Sequence, residues 1–151
     1  MPEKSLTRDG SVGSAIEELV PELVVRATEA RAHAYAPYSR FRVGAAVLGQ
    51  DGRVAAGANV ENASYGLTMC AERVALFGAI SQGSPGIVAL ALSAEPAVWP
   101  CGACLQVLAE FARPDCAVVI SEGGRVVARS TLGALLPHAF GAAFLRDGHR
   151  G

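Results

Sequence analysis

The stretch GIVALALSA, Gly86 to Ala94, is apolar almost throughout and carries no charge. An unbroken run of that length is what a strand covered on both faces requires, so helices must lie above and below it. The rest of the chain supplies them. Upstream, SAIEELVPELVVRATEARAHAYAP has apolar residues at helical spacing, and because Pro21 fits only a first turn or a break, the helix is expected from about Glu22 to Tyr35. FRVGAAVLG, QDG and RVAAGANV read as strand, turn and strand, with Asp51-Gly52 marking a tight hairpin. From Met69 to about Ser81 the period is helical, and Gly83 with Pro85 stops it. Downstream, PCGACLQVLAEFA returns to helical spacing up to Pro114. CAVVISE and RVVARST give two more strands, and LGALLPHAF a last helix. The order α-β-β-α-β-α-β-β-α predicts a three-layer α/β/α domain over 14–151, with a mixed five-stranded sheet behind a polar tail at 1–13.

A chain of 151 residues can hold a core without covalent staples, so its four cysteines are not needed for stability. The net charge is -1 and the basic residues are scattered singly, which argues against a nucleic-acid or acidic-membrane partner and for a small neutral or mildly polar ligand. No apolar stretch reaches the roughly 18 residues of a membrane span, and the polar start MPEKSLTRDGSVGS shows no secretory signal. A cytoplasmic placement is expected. There, closely spaced cysteines more often bind metal or do redox chemistry than form structural disulfides.

Cys101 and Cys104 follow Pro100 at a spacing that puts both in the first turn of one helix, and Cys70 heads the other internal helix. Both helices follow extended segments, so their amino termini can converge beside the sheet and bring three thiols together. Zinc suits such a meeting, because thiolates bind it well and three protein ligands leave a fourth position for water, the mark of a catalytic site. Helix amino termini also favour thiolates. Three thiolates leave the centre at formal -1, and Arg73 is placed to offset that charge. Glu72, two residues from Cys70, diverges from it on the helix flank but shares a pocket with it when the helix is viewed end-on. A carboxylate there can take a proton from water and pass it to a substrate nitrogen. Taken alone, C-x-x-C at a helix start also occurs in redox proteins and structural zinc sites. Here a C-x-E about thirty residues upstream completes the zinc-deaminase pattern, as CAE and PCGAC. Cys116 begins a strand, fits neither spacing, and reads as a small buried hydrophobe.

From Tyr35 to Phe140 the sequence resembles the small cytidine deaminases of the all-cysteine zinc class, through YAPYSRFRVGAAV, GANVENASYGLTMCAERVAL, PCGACLQVLAEF and LLPHAF. The resemblance implies one zinc on Cys70, Cys101 and Cys104, with Glu72 as proton shuttle. It implies that Asn59 and Glu61 bind the ribose hydroxyls, that Phe41 packs on the pyrimidine, and that the Ala71 backbone meets the base carbonyl oxygen. It further implies a homotetramer in which Phe140 reaches into a neighbouring site; closed symmetric assembly is common on general grounds. Without the resemblance, Phe41 and Phe140 would read as core, Asn59 and Glu61 as strand-end polar groups, and Arg73 as an exposed helix charge. Two positions depart from the family: Trp99 stands where a small residue is usual, and Leu105 where an arginine is usual.

The expected reaction is hydrolytic deamination of cytidine and deoxycytidine to uridine and deoxyuridine, with release of ammonia. Two rivals stand beside it. One keeps the chemistry on a modified cytidine or a blasticidin-type cytosine nucleoside, against which the retained NVENASY segment argues. The other is a non-catalytic zinc or redox domain. Action on a polynucleotide is disfavoured, because the chain lacks a basic track for a phosphate backbone.

Overall fold

The computed structural model describes residues 10–147. Its sheet has five strands, β1 (Val43–Gly49), β2 (Val54–Ala58), β3 (Ile87–Ala94), β4 (Ala112–Glu122) and β5 (Arg125–Thr131), in the order β2-β1-β3-β4-β5. Only β3 and β4 are parallel, so the sheet is mixed as expected. The helices are α1 (Gly10–Arg31), α2 (Ala71–Ser81), α3 (Gly102–Phe111), α4 (Leu132–Leu135) and α5 (Ala142–Asp147).

Alternation along the central strands explains why they are apolar throughout. Val43, Ala45 and Val47 of β1, Leu90 and Leu92 of β3, and Val118 and Ile120 of β4 point into a core shared with α2 and α3. The residues between them, Ala46, Leu48, Ala89, Ala91 and Val119, point the other way, onto Val20, Leu23, Val24 and Ala27 of α1. Strands with two apolar faces need a helical layer on each. The α1 layer lies so close to β1 that a Cβ at Gly44 would stand 1.9 Å from the Ala27 carbonyl oxygen. On the opposite face, a Cβ at Gly57 would stand 2.7 Å from the Ala75 nitrogen of α2.

Several boundaries differ from the expectation. Helix α1 runs through Pro21 and ends at Arg31 instead of spanning 22–35. Pro21 lies on its solvent face, while Ile16, Leu19 and Val20 extend the stripe of Leu23 and Val24 onto the sheet, and that burial offsets the single lost hydrogen bond. Of the polar tail expected over 1–13, residues 1–9 lie outside the described residues, and Gly10 already begins α1. Helix α3 ends at Phe111, before Pro114. The strand starts at once, and its register jumps from Ile87↔Ala112 to Ala89↔Ala117, leaving Arg113, Pro114 and Asp115 exposed in an irregular stretch. The last helix, expected over 132–140, is the single turn α4, with Thr131 Oγ1 capping Ala134 N at 3.2 Å; helix resumes only in α5. No helix among the described residues is long and apolar enough to cross a membrane.

The register also fixes where a site can form. Ala58 at the end of β2 pairs with Gly44 near the start of β1, Gly44 pairs with Ser93 near the end of β3, and Ser93 pairs with Ser121 near the end of β4. The carboxyl ends of β2, β3 and β4 therefore share one edge of the sheet. The connections leaving β2 and β3 there lead into α2 and α3, so both helices begin near that edge, where open α/β sheets bind their ligands.

Candidate metal centre and active site

Cys70 is the N-cap of α2, Cys101 is the N-cap of α3, and Cys104 lies in the first turn of α3. Their three Sγ atoms lie within 4.8 Å of one another. Cys101 stands 3.4 Å from Cys104 and 4.0 Å from Cys70, sulfur to sulfur, and none of the three is in a disulfide. The Cys101 sulfur also faces the Cys104 backbone N–H at 3.5 Å. The Cys70 side chain does not cap α2, so it remains turned toward the other thiols. Three soft donors at two positive helix ends, in a cluster open on the Cys101 side and closed on the Cys104 side, fit a three-thiolate zinc site.

The electrostatics agree with that donor set. A hydrogen bond from Cys104 and the guanidinium of Arg73 hold the Cys70 thiol well below its ordinary range, whereas Cys104 is pushed up by giving its proton to Cys70 and by burial. Arg73 Nη2 donates to Cys70 Sγ at 3.4 Å, and this contact holds the guanidinium firmly charged. Its Nε is buried without a hydrogen-bond partner, so the side chain is committed to the thiols at some cost. Glu72 is buried on the same turn, and burial, with the Cys70 thiolate adding to it, raises its carboxyl to about 7. Ala71 between them is fully buried. Cys116 lies apart in the main core, its thiol pushed up to about 12 by burial, as its reading as a small hydrophobe requires.

A second group of residues is tied to this centre through the backbone. Val60 pairs on one side with Tyr35 and on the other with Met69, the residue before Cys70. Its N–H donates to the Met69 carbonyl at 3.0 Å and its carbonyl accepts from Met69 N at 2.9 Å. Asn59 and Glu61 flank Val60. The buried Asn59 amide bridges the entry to β1, accepting from Val43 N at 2.9 Å and donating to the Phe41 carbonyl at 2.8 Å. Glu61 accepts from the backbone N–H of Tyr38 at 2.9 Å and of Ser39 at 3.1 Å, and its second oxygen accepts from the Ser39 hydroxyl. Those bonds, chiefly the one from Ser39, hold its carboxyl below the ordinary range. Phe41 is partly buried against the core cluster that contains Ala71.

Leu105 and Phe140 lie on either side of this centre's surroundings, one in the core and one at the surface. Leu105 is buried in the core of the α2–α3 face, so its side chain packs among apolar neighbours. Phe140 is exposed, with its ring stacked on Phe144 at 5.5 Å and its carbonyl held by Gln106 of α3 at 2.7 Å. Sequence reasoning missed Ser39 and the Tyr35–Val60–Met69 ladder. The first had a signal, because a serine two residues before a fixed aromatic can close a side-chain turn; the ladder had none.

A mixed α/β/α sheet whose edge gathers three thiols from two helix ends, beside a buried carboxyl, defines a zinc hydrolase of the deaminase class. Residues 18–121 match the family described as the cytidine and deoxycytidylate deaminase zinc-binding region. The cytidine deaminase of Halalkalibacterium halodurans is 50% identical over 127 residues, covering 83% of this chain and 96% of that protein. The crystal structure of cytidine deaminase from Burkholderia pseudomallei superposes with a TM-score of 0.74 at 46% identity, covering 79% of this chain and 97% of that one. That from Mycobacterium tuberculosis gives 0.70 at 46% identity, covering 80% and 95%. The chain belongs to the cytidine deaminase family.

Proposed function

We propose that the protein catalyses hydrolytic deamination of cytidine and deoxycytidine: water adds at C4, the C4–N bond breaks, and uridine or deoxyuridine leaves with ammonia. The observation that carries this reading is the buried Glu72 carboxyl on the turn that bears Cys70, beside Cys101 and Cys104. Zinc held by those thiols supplies Lewis acidity that makes water nucleophilic at neutral pH. Glu72 takes a proton from the water, delivers it to N3 of the ring, and carries the second proton to the departing amino group. Its burial favours this work, because a carboxyl shielded from solvent exchanges protons near neutral pH.

The first backbone N–H groups of α2, beginning at Ala71, lack intrahelical acceptors and point toward the site, where the base carbonyl oxygen can receive one. Phe41 lines the pyrimidine. Asn59 and Glu61 face the sugar while also fastening the loop that carries Phe41, since an amide and a carboxylate each retain capacity for further hydrogen bonds. Phe140, exposed on its own chain, serves a neighbouring site in a homotetramer. The direct test is the loss of cytidine absorbance on adding zinc-loaded protein, with deoxycytidine, free cytosine and a modified cytidine in parallel. No turnover of any of them by protein that holds one zinc per chain would refute the proposal and leave a structural zinc domain.

A further inference from the structure

Between Tyr38 and Phe41 the backbone does something costly. Arg40 has φ of 58°, in the left-handed region that residues with a Cβ rarely occupy, and it is the one such non-glycine residue among those described. A conformation of that kind persists only where its surroundings hold it, and here the surroundings converge on Ser39. The Ser39 hydroxyl accepts from Phe41 N at 3.0 Å, spanning Arg40, and donates to Glu61. The backbone N–H groups of Ser39 and Tyr38 donate to the other Glu61 oxygen, and Arg40 N donates to the Ala36 carbonyl at 3.0 Å. Beyond Arg40, Asn59 holds the Phe41 carbonyl at 2.8 Å. Phe41 is thus held at its N–H by Ser39 and at its carbonyl by Asn59.

We infer that Ser39 is a positioning residue of this enzyme: by linking Glu61 to the Phe41 amide across a left-handed Arg40, it fixes the sugar-facing carboxylate and the base-facing ring in one geometry. The inference rests on the proposed nucleoside reaction. If Phe41 and Glu61 are set before substrate arrives, the ordering cost is met in folding and not in binding. Loss of the hydroxyl frees the Phe41 N–H, removes one of the three bonds to Glu61 and releases Arg40 toward ordinary φ. Binding suffers, while Glu72 and the thiols, on α2 and α3, keep their chemistry.

The test compares wild type with Ser39→Ala, Ser39→Thr and Ser39→Ala/Arg40→Gly, all zinc-loaded. In Ser39→Ala, KM for cytidine should rise about 10-fold, the scale of one hydrogen bond to a charged group, with kcat within about 3-fold. Ser39→Thr, which keeps the hydroxyl, should restore KM. The added Arg40→Gly should recover part of the loss, because glycine adopts positive φ without support. Amide hydrogen exchange supplies a readout that needs no turnover: exchange at Phe41 should quicken in Ser39→Ala and not in Ser39→Thr. An unchanged KM with unchanged Phe41 exchange in Ser39→Ala would overturn the inference, as would a Ser39→Thr variant as impaired as alanine. Variants that exchange as described beside a wild type that turns over no cytidine would instead overturn the reading of the reaction, and the role of Ser39 in it.

Discussion

Replacing Glu72 by glutamine should make the metal-free protein more stable and the enzyme nearly inactive. Burial raises the Glu72 carboxyl from the ordinary 4.5 to about 7, so the folded chain resists its ionisation where the unfolded chain does not. A group raised in this way contributes fully below its unfolded value, and the contribution is lost as pH rises toward the folded one. The interval of about 2.5 pH units corresponds to about 3 kcal/mol between acid and pH 8. Glutamine keeps the shape without the charge. In chelator-treated protein, wild type and Glu72→Gln should therefore melt together near pH 4, with the variant roughly 6–12 °C higher at pH 8, since about 1 kcal/mol moves the Tm of a chain this size by about 2–4 °C. Zinc should shrink the gap, because a nearby dication favours the carboxylate. Turnover of cytidine by the zinc-loaded variant should fall by about 10²–10⁴-fold or more, since one group serves several proton transfers. Paired thermal melts at the two pH values, with an absorbance assay, measure both effects. A stability gap independent of pH would refute the burial argument, and activity within a few-fold of wild type would remove Glu72 from the reaction.

Metal analysis should find one zinc per chain in wild type and in Cys116→Ala, and little in Cys101→Ala; equal loss in both variants would break the assignment. Free cytosine should be a far poorer substrate than cytidine, because it would forgo the sugar contacts of Asn59 and Glu61; similar kcat/KM for the two would contradict their sugar role. Light scattering should give a homotetramer, and Phe140→Ala should weaken nucleoside binding more than zinc binding. A fully active monomer would exclude that arrangement.

The thiols, Glu72 and the two-faced sheet were legible because each depends on local spacing. C-x-x-C at a helix start places two sulfurs on one turn whatever surrounds it, and a charge-free strand needs cover on both faces. The boundaries that shifted were those where tertiary burial outweighs a local preference. Pro21 breaks helices in isolation, yet Val20 and Leu23 on either side of it are buried against the sheet and carry α1 through. Asn59 and Glu61 were readable as polar groups at a strand end but not as clamps. Their partners lie about 16–23 residues away, and only the fold brings Val43, Phe41 and Ser39 to them.

Leu105 shows how a motif position can change its work without changing its place. The usual arginine there would add a second cation beside the thiolates, and such partners commonly alter a metal site by about 10–100-fold. In this chain the position is 6% exposed and sits with Leu108, Ala75 and Leu76 in the core, so it contributes apolar burial in place of charge. Three thiolates around a dication sum to -1, and among the described residues Arg73 and the amino ends of α2 and α3 stand beside them to offset it. Arg73 meets that demand at 3.4 Å from Cys70 Sγ, with its Nε left unpaired in the interior. A guanidinium with one N–H buried and unpaired is best tolerated where a strong opposite charge holds the rest of the group. The contact of Arg73 with Cys70 and the apolar burial of Leu105 thus belong to one arrangement: among the described residues, positive charge reaches the thiols from α2, and the position after Cys104 on α3 packs the core.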